Sequence, residues 1–328
     1  MSAATKMGDA PRSLAGVSRA VFRHPSLPAF VGAIVIWLAT GALAGRGFYG
    51  TLSAGVLAAS FLVIAGIGQL FVITVGNGGI DLSVPYVMTL SGFLSCQLMG
   101  GANDNLVLGL VVGVAGGVAA GLLSAVLIEF VGMPPLVGTL AVGFALQTFT
   151  LQYSGSAIGV TSPALQAFTT LKWGPLPVFG LVGIATTVLF IGILKRTSYG
   201  RRVEAVGQSA TAARLAGTSP HLIRGSAYLL SGGMAGLAGV LLAANSGGPS
   251  LSLGAPYQLA SIAVVVLGGS LITGGRAVVG GVWAGAVLLT LLGTLVSVAK
   301  LSGGLQDIAQ GALIILVLSL NRVSSVGR

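Results

Sequence analysis

Apolar stretches recur along the whole chain, divided by short connections rich in glycine, proline and charge. A hydrocarbon core about 30 Å thick is crossed by about 20 apolar residues in a helix. Ten windows meet that requirement: 28–44, 51–75, 83–100, 106–128, 134–153, 176–194, 223–244, 256–273, 277–298 and 303–320. Only the stretch TGGR at 273–276 separates two of them, so nine spans is the alternative count. The pattern predicts an all-α membrane protein, a polytopic bundle of about ten transmembrane helices forming one domain over 26–320. A basic tail at 1–25 precedes it and a short tail at 321–328 follows. Arg19, Arg23 and the ALA at 42–44 resemble a secretory signal and its cleavage site. The long leader and the many later spans make a first transmembrane helix the simpler reading.

Composition agrees. The hydrophobic fraction is 54% and the charged fraction 7%, where a soluble domain carries about 25% charged residues. Such a chain must meet lipid over most of its area. Glycine contributes 53 of 328 residues, roughly twice the usual ~7%, and small residues let membrane helices approach closely. The net charge of +10 would suit nucleic acid, but the basic residues fall in short connections. With the N-terminus cytoplasmic, ten spans place Lys6, Arg12, Arg19, Arg23, Lys195, Arg196, Arg201, Arg202, Arg214, Arg224, Arg276, Arg322 and Arg328 inside. Only Arg46, Lys172 and Lys300 fall outside. That asymmetry is the positive-inside bias of a membrane protein, with both termini cytoplasmic and lipid rather than nucleic acid around it. The single cysteine, Cys96, permits no internal disulfide.

In the fourth window Gly109, Gly113, Gly117 and Gly121 recur every four residues, a repeated GxxxG surface for close helix contact. Packing inside the bundle is the expected use, a subunit interface the other. Gly281 and Gly285 form a shorter version. Two connections are long. One, 154–175, is expected outside with a short helix from Ser162; the other, 195–222, is expected inside. In the inner one Ser209 is a good N-cap, residues 210–216 are helix formers and Gly217 is a stop. Ser219 caps again, and Pro220 suits the first turn of the next helix. A helix of about two turns is marginal alone and must pack on something. Its support is either the bundle and headgroups, or a groove on a partner, with Leu215 as apolar anchor and Arg214 and Glu204 as polar contacts.

The stretch VGNGGIDLSVP at 75–85 places one of only six acidic residues between two spans. Gly76, Gly78 and Gly79 disfavour a continuous helix, at about 1 kcal/mol each relative to alanine. Asp81 or Ser83 can cap the next helix, and Pro85 is tolerated in its first turn. On this reading the stretch is a capped break. Irregular backbone at membrane depth is also tolerated where it borders a water-filled path, and intramembrane carboxylates usually face one. Asn77, Asp81 and Ser83 would then offer hydrogen bonds to a passing solute. GGSLITGG at 268–275 is a second glycine-paired interruption. Glu129 reads as an interfacial charge, Asp307 as a helix-dipole partner, and His24 and His221 suggest no metal site. Phe71, Tyr86, Tyr257 and Trp283 serve packing more often than ligand stacking. No Ser-His-Asp set, HExxH or phosphate-binding loop of the GxxxxGK[ST] form occurs in the sequence.

Several of these stretches together resemble one family. GGIDLSVPYVMTLSG (78–92), GMPPLVGTLAVG (132–143), the loop and span from AVGQSATAARLAG (205–217) to 244, and LASIAVVVLGGSLITGGRAVVGG (259–281) are similar to the sugar-type permeases of ABC importers, the ribose, xylose and galactose group. The likeness covers roughly residues 50 to 320 in order. It implies a multi-pass permease subunit of a bacterial inner membrane, paired with a second copy or a paralogue. ATP-binding subunits would dock beneath it, and a periplasmic or lipoprotein sugar-binding protein would deliver substrate. No cofactor is implied on this chain, since ATP and magnesium are used by the partner subunits. The helix at 209–217, with Ser209, Arg214, Leu215 and Gly217, maps onto the family's coupling helix, with Glu204 just before it. The departures are Pro85 after DLSV where glycine is usual, Thr211 in place of an acidic residue, and Ser124 where many members have asparagine. Ser124 joins Asn77, Asp81 and Ser83 as a substrate-path candidate.

The expected function is therefore the permease subunit of an ATP-driven importer for a monosaccharide or similar polyol, without an ATPase site of its own. A stand-alone secondary transporter or channel would need buried charge pairs for its ion. A membrane enzyme would need clustered histidine or carboxylate groups.

Overall fold

Two helices occupy the middle of the bundle because nearly every position along them is apolar or small. A computed structural model describes residues 26–44, 47–155 and 159–300, with 304, 305, 308, 311 and 312 beyond them. The tails at 1–25 and 321–328, with Arg19, Arg23 and His24, lie outside the described residues, as do Asp307 and most of window 303–320. The helices run α1 Leu27–Ala44, α2 Phe48–Thr74, α3 Val84–Met99, α4 Leu106–Glu129, α5 Pro135–Ser154, α6 Pro163–Thr170, α7 Phe179–Arg196, α8 Ser198–Gln208, α9 Ala210–Leu215, α10 Pro220–Asn245, α11 Tyr257–Leu267 and α12 Val279–Val298. A two-residue hairpin, β1 Lys172–Trp173 with β2 Leu176–Pro177, pairs antiparallel in the long connection before α7. The enclosed pair is α2 and α10, wrapped by α3, α4, α11 and α12. On α4, α5 and α7 most of the surface is left for lipid or partners.

Six described helices, α2, α4, α5, α7, α10 and α12, are long and apolar enough to cross a membrane, and α1, α3 and α11 are shorter apolar helices. Window 256–273 differs from its expected form. Its helix ends at Leu267, because Gly269, Gly274 and Gly275 take positive φ. Eleven residues rise roughly 16 Å, about half of the hydrocarbon core. Connection 246–256 turns back into the bundle to meet its start, where the Gly254 N–H donates to Thr89 Oγ1 at 3.1 Å. The inner loop holds an additional helix, α8, whose buried Gly200, Val203 and Val206 pack it against the bundle end.

Close helix approach through glycine holds the centre together. A Cβ at Gly109 would stand 2.8 Å from the Ser95 carbonyl on α3, and one at Gly117 would stand 2.9 Å from Gly236 Cα on α10. At Gly121 it would meet the Tyr228 carbonyl. The stripe therefore serves packing within the chain, and its slow drift around α4 divides it between two neighbours. Gly281 and Gly285 do the same for α12 against α11, facing Gly268 and Val264.

Contacts sort the connections into two ends. At one, Ser162 Oγ donates to Asn103 Oδ1 at 2.6 Å and Gly101 N–H to the Val160 carbonyl at 3.0 Å. This end carries the hairpin with Lys172. At the other, Glu129 meets His221, and the Gly275 N–H donates to the Thr74 carbonyl at 2.9 Å. Lys195, Arg196, Arg201, Arg202 and Arg214 cluster in the elements there.

Replacing Gly117 with valine should force α4 off α10, an overpacking cost of about 1–3 kcal/mol or more. Gly192→Ala, whose Cβ would meet nothing within 4 Å, should leave stability unchanged or slightly raised. Thermal unfolding in detergent distinguishes them, and equal midpoints would contradict the packing account.

Candidate functional site

Between α2 and α3 the chain makes a tight reversal and then climbs back into the bundle. Gly76, Asn77 and Gly78 take φ of 74°, 59° and 68°, three consecutive left-handed residues that glycine and asparagine tolerate best. The Asn77 side chain lies exposed at the turn. From Gly79 onward the strand-like segment is enclosed, and Asp81 is 1% exposed.

Its polar groups are met by side chains from three other helices and by its own neighbours. Asp81 Oδ1 accepts from the Ser83 N–H at 2.9 Å and from Ser83 Oγ at 2.6 Å. Asp81 Oδ2 accepts from Ser231 Oγ on α10 at 2.7 Å. The Gln69 amide on α2, oriented to satisfy both groups, donates to the Asp81 carbonyl and accepts from the Asp81 N–H, each at 3.1 Å. Thr139 Oγ1 on α5 accepts from the Leu82 N–H at 3.2 Å, and its proton is shared between the carbonyls of Pro135 at 2.9 Å and Ile80 at 3.3 Å. Among the described residues no cation stands at ion-pair distance from Asp81. Ser231 lies eleven residues along α10, roughly 16 Å from its start, so the carboxylate is well inside the bundle.

This geometry refines the expected cap. Ser83 occupies the N-cap position of α3 without a side-chain cap bond. Asp81 takes the Ser83 N–H from two residues back, and the Ser83 hydroxyl is spent on Asp81. Both candidates are buried and bonded to each other. Ser124 is fully buried on α4 with its hydroxyl unpartnered, and it does not join the cluster around Asp81. Gln69, Ser231 and Thr139 complete that cluster; Thr139 and Ser231 lie in stretches that carry the family resemblance, but nothing in the sequence marks any of the three as a partner of Asp81.

The interruption also touches the second one. A Cβ at Gly274 would stand 2.6 Å from Gly76 Cα. At Gly207, near the end of α8, a Cβ would meet the Thr74 carbonyl and stand 2.5 Å from the Gly275 N–H nitrogen. Gln208 Nε2 donates to the Gly275 carbonyl at 3.1 Å. Three backbone segments, from two breaks and one loop helix, thus meet closely, with the Gln208 side chain tying the loop helix to the second break.

Directly after this junction comes α9. Ser209 caps it, accepting from the Ala212 N–H at 3.2 Å, and Gly217, at φ 79°, ends it. Ala213 is the side it buries. Leu215 is 86% exposed at its tip and Leu222, one element on, 69%. Arg214 Nη2 lies 3.5 Å from His221 Nε2, while His221 Nδ1 lies 2.8 Å from Glu129 Oε2. The Nδ1–H tautomer satisfies both contacts, donating to Glu129 and accepting from Arg214. Glu129 is therefore a brace between α4 and α10. The side chain of Glu204 is half-buried on α8 and makes no intramolecular bond among the described residues.

Asp81→Asn retains an acceptor for the Ser83 N–H and hydroxyl and should keep near-normal protein in the membrane. Asp81→Ala strands three buried donors, at about 1–3 kcal/mol for each group left unsatisfied, and should lower the detergent unfolding midpoint sharply. Indistinguishable midpoints would remove the anchoring role.

The family described as the permease component of the branched-chain amino acid transport system matches residues 51–318. The inner membrane ABC transporter permease protein YjfF of Escherichia coli is 32% identical over 269 residues, 80% of this chain and 81% of the relative. The ribose import permease protein RbsC of Bacillus subtilis is 32% identical over 262 residues, 79% of this chain and 80% of the relative. The L-arabinose transport system permease protein AraH of E. coli is 30% identical over 269 residues, 81% of this chain and 80% of the relative. No solved structure matches. With both breaks, the loop helix and the helices from α3 to α12 inside the matched region, the chain belongs to this family of ABC transporter permease components.

Proposed function

We propose that the chain is the transmembrane permease subunit of an ATP-driven importer for a monosaccharide or similar polyol. It would sit in a bacterial inner membrane, with about ten spans and both termini cytoplasmic. The relatives named for ribose and L-arabinose support the substrate class. Its partners would be ATP-binding subunits below, a periplasmic or lipoprotein sugar-binding protein above, and a second copy or paralogue beside it. ATP and magnesium belong to the chemistry of the ATP-binding subunits.

One observation carries the coupling half of this reading: a short capped helix braced by the bundle presents an almost wholly exposed leucine, Leu215. An apolar side chain on a rigid two-turn helix suits a groove on a partner. Arg214, and Glu204 on the preceding helix, flank it with charge. Motion imposed there has a short way into the bundle. α8 and α9 are consecutive, and Gly207 touches the backbone at Thr74 and Gly275. Closing of the ATP-bound partners would push α8 against both interruptions and so bias the bundle between outward-open and inward-open forms.

Deleting the gene should abolish uptake of one sugar in a panel of labelled pentoses and hexoses, and a plasmid copy should restore it. A deletion that changes no sugar's uptake would end the reading. A plasmid copy carrying Leu215→Asp should reach the membrane in normal amount yet restore no uptake; normal uptake would show that α9 is not the docking element.

A further inference from the structure

A cavity of about 180 Å³ opens where the first turns of α3, the second half of α5 and the start of α11 converge. That is below the ~300–1,000 Å³ of sites for drug-sized ligands and on the scale of one small solute. Its polar lining consists of Tyr86, Thr89, Gln147, Thr150 and Gln258, with Leu251 among the apolar walls. No lining residue carries a formal charge. Thr89 and Thr150 spend their protons on their own helices, on the carbonyls of Pro85 at 2.9 Å and Leu146 at 2.7 Å. The amides of Gln147 and Gln258 and the Tyr86 hydroxyl have no intramolecular hydrogen bond among the described residues. Each amide offers two donors and an acceptor, so the cavity presents unpaired groups of both kinds.

The setting of Gln147 gives a second, independent indication. It is exposed on α5, as is Thr148 beside it, and α5 is the least apolar of the six long spans. An unpaired amide against hydrocarbon is costly. The Gln147 amide therefore calls for water or a polar group at this point of a face that otherwise exposes Phe144 and Leu151, as the mixed wall of a conduit does. The ring of Tyr86 is seated against α5 with its edge toward Phe144, centroids 5.9 Å apart. A Cβ at Gly143 would stand 2.5 Å from that ring, so glycine there lets the aromatic wall lie flat against the helix.

The absence of charge bears on what could bind. A zwitterionic amino acid needs partners for an ammonium and a carboxylate. Two helices begin at the cavity, and free N–H groups in their first turns would favour an anion. Those N–H groups are occupied. Tyr86 and Val87 donate to the Ser83 carbonyl at 3.0 and 2.9 Å, and Tyr257 and Gln258 donate to Gly254 and Ala255 at 2.8 and 3.3 Å.

We propose that this cavity is the solute site of the permease, and that it takes an uncharged polyhydroxyl ring the size of a monosaccharide. The assignment rests on the transport reading above and deepens it. Gln147 and Gln258 bond hydroxyl groups from two sides, and Tyr86 supplies the apolar wall. Asp81 acts one step away as a positioning residue: by holding Ser83 it fixes the turn of α3 that carries Tyr86 and Thr89.

The test uses the deletion strain with plasmid copies and a panel of labelled pentoses, hexoses and leucine. Gln147→Leu and Gln258→Leu should each lower uptake of the transported sugar about tenfold at unchanged membrane level, the scale of one or two lost hydrogen bonds. Gln147→Asn, at an exposed position, should fold normally and alter the ratio of rates between epimeric sugars, which a structural role would not do. Wild-type rates and ratios in all three variants overturn the cavity assignment, as does a loss that only follows protein level. Restoration of leucine uptake by the wild-type copy overturns the uncharged-ring assignment. A wild-type copy that restores no solute in the panel overturns the transport reading itself.

Discussion

An interrupted helix inside a bilayer has no water to complete its hydrogen bonds, and this fold is organised around meeting that demand at residues 79–83. The carboxylate of Asp81 and the backbone on either side of it are bonded by Gln69, Ser83, Thr139 and Ser231. Those side chains come from α2, α5 and α10 as well as from the segment itself. The three helices can reach it only because they already lie close together, and their closeness depends on small residues. Gly68 packs against Ser231, so even the approach of α2 to α10 beside the carboxylate relies on a missing side chain.

The same economy governs the end of the bundle. Gly76, Gly207, Gly274 and Gly275 bring the turn after α2, the end of α8 and the break after α11 into backbone contact. A junction made of backbone has few rotamers with which to absorb a displacement. On the proposed coupling, movement of α8 would be passed to both breaks rather than taken up by side-chain rearrangement. Above the junction, the first turn of α3 and the start of α11 carry the polar lining of the cavity. Segment 79–83 leads from the first break to the α3 wall of the cavity, and α11 leads from the second break to the opposite wall.

Much of the fold was legible because lipid imposes a one-dimensional rule. Length and apolarity located nine of the windows as helices among the described residues, and the glycine stripe of α4 announced a close contact. The caps at Ser162 and Ser209 and the stop at Gly217 are local chemistry and appear where the residues indicated. The stop at Leu267 falls at the start of GGSLITGG, the second glycine-paired interruption of the sequence, although the apolar window continues past it. There the backbone turns through Gly269, Gly274 and Gly275 at positive φ, and Gly268 and Gly274 lie close against Gly281 and Gly76. Helix α8 is not legible for the opposite reason: its sequence is polar and charged, and a short face of Tyr199, Gly200, Val203 and Val206 meets the bundle.

The sequence by itself determined the medium, the helices and the unusual places. Sparse charge, long apolar windows and glycine breaks each express a local or additive property of the chain. Tertiary structure alone decided which of those places touch. Gln69, Ser231 and Thr139 look like ordinary polar residues of apolar helices until they converge on one carboxylate from 12, 150 and 58 positions away in sequence. Gln147 and Gln258 likewise become a pair only when α5 meets the start of α11. Hydrogen bonding acts over about 3 Å, and no pattern read along the chain reports which distant groups folding will bring within that reach.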